Sequence, residues 1–301
     1  MSGFAAATVK CASLAAAGAI AGALTLSSPA TAAVPVDLEL VIATDASGSM
    51  DWTELRIQRE GIANAFKSRE IVQAIQSGAL GKIAVANLDW NNDYETRVVI
   101  DWTIIHDAAS ATGYADTLLG APLGTGRRTS ISTAIIWSVA LIETNDIDGV
   151  RRTIDISGDG PNNYGPILSP VRDEALSKGI TINGLPIIVD SPFSGPNTSS
   201  LDTYYASCVI GGRGSFAVVA RGFSDFATAI RRKLILEISD LRFDTPSEEG
   251  AIIPAAAAPR LAQNLPRPVV PQSPTLLRPP AQRPENCDYW GGGGFGGFGR
   301  F

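Results

Sequence analysis

Between Val36 and Ser239, short apolar, β-branched runs alternate with longer stretches whose apolar residues recur at helical spacing. This rhythm predicts a parallel sheet built from strand–helix–strand units. Leu38–Thr44 is the first strand, and Trp52–Gln76 follows as a helix with Leu55, Ile62, Ala63, Phe66, Val72 and Ile75 near one face. Lys82–Leu88 and Arg97–Ile104 read as strands joined through Asn91-Asn92-Asp93, a turn that predicts one antiparallel edge strand. Asp107–Leu119 and Ser130–Glu143 read as helices, and Arg152–Ser157 as a fourth strand. A helix over Ser169–Lys178, ended by Gly179, leads to a fifth strand, Thr181–Val189. Ser215–Ala220 is the sixth, before a last helix, Ser224–Glu237, with Ser224 as its N-cap. The expected fold is therefore α/β: a doubly wound, mostly parallel, six-stranded sheet with helices on both faces.

The first strand stops at Asp45-Ala46-Ser47-Gly48-Ser49. One carboxylate and two hydroxyls then lie on a loop at a strand's carboxyl end, where open α/β sheets hold ligands. Thr129, in Gly-Arg-Arg-Thr-Ser, and Asp159, in Ser-Gly-Asp-Gly, are two further oxygen donors on loops of the same kind. Glycine on both sides of Asp159 is expected to let the backbone turn sharply there. A set made only of oxygens suits a hard cation, Mg²⁺ or else Ca²⁺ or Mn²⁺, rather than Zn²⁺. Neutral hydroxyls leave the ion's charge only partly offset, so an outside carboxylate would complete its shell. The Ser-, Pro- and Gly-rich loop Asp190–Asp202 is placed either to wall this site or to run free of it.

Composition changes the picture at both ends. Lys10 precedes the Ala-rich apolar run Cys11–Leu26, and Ala30-Thr31-Ala32 offers a small-residue cleavage site. Residues 1–33 are read as a secretory signal peptide. The run falls short of the roughly 20 residues a membrane span needs, so no stable membrane anchor is expected after cleavage. The domain then covers residues 34–240. Residues 241–301 form an extended or disordered tail, because ten of the 19 prolines fall in the last 57 residues and the end is Gly- and Phe-rich. The whole chain carries 24 Lys+Arg against 30 Asp+Glu, a formal charge of −6. An acidic balance disfavours nucleic acid as a partner. After signal removal Cys208 and Cys287 are left, free to pair in an oxidising compartment or to stay separate thiols.

The region Asp37–Ser239 resembles a von Willebrand factor A domain, and the oxygen set resembles its metal-ion-dependent adhesion site. Thr44–Trp52, Thr129–Ile131, Ser157–Gly160 and Tyr204–Gly212 resemble more particularly an uncharacterised bacterial family of secreted proteins with that fold. The resemblance implies that Ser47, Ser49 and Thr129 contact the ion directly, while Asp45 and Asp159 act mostly through bound water. It implies a non-catalytic, adhesion-type module, periplasmic or extracellular, that binds a protein ligand offering an acidic side chain to the metal. One departure is Arg127-Arg128, where such domains have small residues before the threonine. Pointing inward, each would repel the ion by about 1 kcal/mol at an effective dielectric of about 20; pointing outward, they would attract an anionic ligand.

Other chemistries find less support. His106 is the single histidine, and no Gly-x-Ser-x-Gly elbow accompanies it. Position 47 is serine, where aspartyl-phosphate enzymes need a second acid. No phosphate-binding glycine loop follows the first strand. The alternatives kept open are a metal-assisted phosphoester hydrolase and a scaffold whose metal site is vestigial.

Overall fold

The computed structural model describes residues 32–92, 94–189, 201–239, 275–280 and 287. At its centre lies β1 (Val34–Asp45), whose residues from Leu38 onward are buried on both faces, as an inner parallel strand must be. β2 (Ile83–Trp90) and β4 (Ile147–Gly158) flank it in parallel, and β3 (Arg97–Ile105) closes one side antiparallel to β2. On the other side β5 (Thr181–Ile188) runs parallel to β4. The spatial order, β3-β2-β1-β4-β5, is that of a doubly wound sheet with an antiparallel edge, as expected.

Alternate residues of β1 feed two cores. Leu38, Leu40 and Ile42 pack on α1 (Trp52–Phe66), α2 (Arg69–Gln76), α3 (Ala108–Gly120) and α7 (Phe223–Ile238). Val41 and Ala43 pack on α4 (Ile131–Glu143) and α5 (Leu168–Ser177), together with Tyr204 and Tyr205. Burial of apolar side chains on both faces drives the fold, at roughly 1.5–3 kcal/mol for each large residue. None of the described helices is long and apolar enough to cross a membrane.

Several expectations change. The helix predicted over Trp52–Gln76 is two, because Ser68 starts α2 by accepting a bond from the Ile71 N–H. β4 begins five residues earlier than Arg152: the polar stretch from Ile147 pairs with β1, and Glu39 takes up the Gly149 N–H at 2.8 Å. The sixth strand is two short pieces on β5, β6 (Ala217–Val218) and β7 (Ala220–Arg221). Between them the Val219 N–H turns away to the Thr275 carbonyl. Gly222, with φ +78°, takes the N-cap position of α7 in place of Ser224.

The sheet is also larger than six strands. Within the Pro-rich segment, β8 (Leu276–Leu277) pairs antiparallel with β6 and makes a second antiparallel edge, giving eight strands among the described residues. A two-residue strand has no periodicity for a sequence reading to detect. Cys208 and Cys287 form a disulfide, with Cα atoms 5.3 Å apart. Cys208 sits in a π-helical turn, Tyr205–Val209, that continues the short helix α6 (Leu201–Tyr204). The signal-peptide reading, most of the tail and nearly all of the loop Asp190–Asp202 lie outside the described residues.

Candidate metal centre

β1 delivers Asp45 to the carboxyl edge of the sheet, and the chain turns at once. The Asp45 Oδ1 accepts the Ser47 N–H at 2.7 Å, which closes an Asx turn. That turn sets the Ser47 hydroxyl 3.1 Å from the Ser49 hydroxyl, and Ser49 donates to Asp159 Oδ1 at 2.7 Å. Asp51 then caps α1 through the N–H groups of Thr53 and Glu54, with Glu54 returning a bond to the Asp51 N–H. Asp45, Ser47, Ser49 and Asp159 thus form one hydrogen-bonded chain across two loops.

Thr129 joins from a third loop. Gly126 donates to the Ala46 carbonyl at 2.7 Å, and Arg97 binds the Pro122 carbonyl, so this loop is tied to the first. Thr129 and Asn163 clamp each other: the Thr129 N–H meets the Asn163 amide oxygen at 3.1 Å, and the Asn163 N–H meets the Thr129 carbonyl at 2.9 Å. Asn162 likewise accepts the Ser132 N–H at 3.0 Å. The Thr129 side chain lies beside Gly160, the residue after Asp159; a methyl group on Gly160 would stand 3.8 Å from its Cγ2 and 3.9 Å from its hydroxyl. All five predicted residues gather at one end of the sheet.

The glycines flanking Asp159 act otherwise than expected. Neither has positive φ. Gly158 is needed for close approach: a methyl there would lie 2.8 Å from Asp45 Oδ2, 2.9 Å from the Tyr205 hydroxyl and 3.1 Å from the Trp90 ring. The Asn162-Asn163 pair was not among the residues the sequence singled out, and Gly158 and Tyr205 were singled out without the role in packing around Asp45 that they have here. Turn chemistry in Asp-Gly-Pro-Asn-Asn was the available signal for the asparagines; nothing local marks Tyr205 for that role.

Electrostatics follow from burial. Asp45 is wholly buried, and its Oδ2 is among the buried side-chain atoms with no hydrogen-bond partner. Desolvation, aided by the nearby Asp159 charge, pushes the Asp45 carboxyl up to about 8 against the bonds from Ser47. Desolvation raises Asp159 as well. Two carboxylates are thus held together with no cationic side chain between them. Among the described residues no cluster of three or more His, Cys, Asp or Glu side chains could hold a metal. The oxygens gathered here are two carboxylates and three hydroxyls, a donor set that fits a hard divalent cation.

Arg127 and Arg128 are both exposed, and the Arg128 guanidinium lies 5.9 Å from the centre of the Tyr164 ring. Neither is among the charges that act on the Asp45 or Asp159 carboxyl. His106 follows β3 at the opposite end of the sheet from Asp45, beside Asp107. A cleft lined by Glu39, Phe216 and Arg278 also opens at that far end.

Residues 35–242 match the family described as Protein of unknown function (DUF1194). The chain belongs to this family. No curated protein matches it in sequence. Solved structures similar to it include a von Willebrand factor type A protein from Catenulispora acidiphila, 15% identical with a TM-score of 0.46, covering 67% of this chain and 43% of that one. Proximal thread matrix protein 1 from the mussel byssus is 11% identical with a TM-score of 0.47, covering 69% and 48%. The pilus adhesin SpaC from Lactobacillus rhamnosus GG is 13% identical with a TM-score of 0.49, covering 69% and 31%. The chain spans less than half the length of each. This DUF1194 chain has the doubly wound sheet order, with an antiparallel edge, that its sequence predicts.

Proposed function

We propose that this chain is an exported, non-catalytic module that binds a protein ligand through a divalent cation. The observation that carries this reading is the buried, unpartnered Asp45 oxygen, held beside Asp159 and the Ser47 and Ser49 hydroxyls. Mg²⁺ is the first candidate, and Ca²⁺ and Mn²⁺ suit the same oxygens. Asp45, Ser47, Ser49, Thr129 and Asp159 would hold the ion. The bound cation supplies a positive centre able to accept a carboxylate from the partner. Asp45 and Asp159 orient the hydroxyls and offset part of the charge, while the Thr129–Asn163 clamp fixes the third loop. The Cys208–Cys287 disulfide supports an oxidising compartment, periplasmic or extracellular.

Isothermal titration of Mg²⁺, Ca²⁺ and Mn²⁺ into the protein, beside Asp45→Asn and Ser47→Ala, tests this. Saturable binding lost in both variants, with unchanged circular dichroism, is the expected result. Absence of binding up to millimolar cation, or equal binding by folded variants, would overturn it.

A further inference from the structure

Four aromatic side chains are substantially exposed among the described residues: Trp52, Tyr94, Trp137 and Tyr164. Three of them lie on or directly beside the loops at the edge of the sheet that carries the oxygen set. Trp52, 57% exposed, opens α1 directly after the Asp45–Asp51 loop. Tyr94, 89% exposed, adjoins Glu95, whose carboxylate reaches Gly126. Tyr164 lies beneath Arg128. Arg127 joins this group, its Cα 3.3 Å from where a methyl group on Gly48 would stand. Neither arginine makes an ion pair among the described residues, although the chain is acidic overall. Trp, Tyr and Arg are the residue types enriched in protein-binding hot spots.

We infer that Trp52, Tyr94, Arg127, Arg128 and Tyr164 form a docking rim that selects a protein segment with clustered acidic side chains. The inference rests on the cation reading above. One acid of the partner binds the ion, and neighbouring acids pair with Arg127 and Arg128. Both arginines lie within two residues of Thr129, and an extended ligand advances roughly 3.3 Å per residue. A second acid close to the first along the ligand is therefore within reach of these arginines. Stacking on Tyr164 holds Arg128 in place, which lowers the ordering cost of pairing. The aromatic rings contact the apolar parts of the ligand, and charge complementarity sets its choice.

The test uses two fluorescent peptides of equal length in Mg²⁺. One carries a single aspartate among Ser and Gly; the other carries the same aspartate flanked by glutamates. The wild-type protein should bind the second about tenfold more tightly or better, close to 1.4 kcal/mol. Arg127→Glu/Arg128→Glu should erase that preference and its salt dependence while Mg²⁺ still titrates into the variant. A preference that is absent, or that survives charge reversal, would overturn the proposal. So would a sulfated polysaccharide that binds more tightly than the acidic peptide and displaces it, for the partner would then be a glycan. Arginine-dependent binding that persists unchanged in EDTA would uphold the rim and sink the cation reading; cation-dependent binding indifferent to the arginines would do the reverse.

Discussion

Ser49 and Asp159, 110 positions apart in the chain, meet through a 2.7 Å hydrogen bond that joins the first loop to the loop after β4. This bond holds the two carboxylate-bearing loops in register before any ligand arrives. Asp159→Asn should weaken divalent-cation binding by about 10–100-fold, with the melting temperature in EDTA unchanged or raised because a partly buried carboxylate, itself raised by desolvation, becomes neutral. Calorimetric titration and a melt in EDTA check both arms.

The raised Asp45 carboxyl has a definite sign. The folded protein holds this proton up to about 8, the unfolded chain only to about 3.8. Its contribution is fully present below about 3.8 and is lost as pH rises towards about 8. Cation-free protein should therefore become less stable across that window, and Mg²⁺ should restore stability most at its upper end. Melts from pH 4 to pH 9, with EDTA or Mg²⁺, read this. Cation binding near pH 7 should also release a proton, seen as a heat that varies with buffer ionisation.

Gly158→Ala puts a methyl 2.8 Å from Asp45 Oδ2 and 2.9 Å from the Tyr205 hydroxyl. Overpacking of this kind costs about 1–3 kcal/mol. Chemical denaturation should show that loss, and cation titration a weaker site. Tyr205→Phe, which keeps the ring and drops the hydroxyl, should stay folded and isolate the hydroxyl's effect on cation affinity.

Lys233 lies buried with its ammonium 2.5 Å from both Asp155 and Glu237. Asn183 binds the same Glu237 oxygen at 2.8 Å. Burial and the Asp155 charge push Glu237 up to about 7. Lys233→Met removes the cation and strands both acids, a loss of about 3–5 kcal/mol. The loss should shrink in acid, where the stranded carboxyls take up protons. Urea denaturation at two pH values measures it.

Reduction of Cys208–Cys287 opens a link across 79 positions. Loss of such a constraint costs about 2–5 kcal/mol. Thermal melts with and without reductant should show the shift, and Cys287→Ser should reproduce it.

The sheet was legible because its strands carry long apolar runs. Leu38–Thr44 declares an inner strand, and its abrupt end at Asp45-x-Ser-x-Ser marks a candidate site. Short elements were not legible: β6, β7 and β8 have two residues each and hold through pairing with a neighbour, not through pattern. The break at Ser68 rests on one side-chain bond inside a continuous helical pattern.

By itself, then, the sequence determined the alternation of strands and helices and the doubly wound class, and it singled out five oxygen-bearing candidates, since each is a local matter of periodicity or side-chain chemistry. Only the tertiary structure decided that Thr129 is clamped by Asn163, that Tyr205 crowds Asp45 through the gap left by Gly158, that Arg127 and Arg128 face outward, and that Cys208 pairs with Cys287. These are contacts between residues far apart in the chain. Their energy comes from burial and close packing, which exist only once the sheet has brought its loops to one edge.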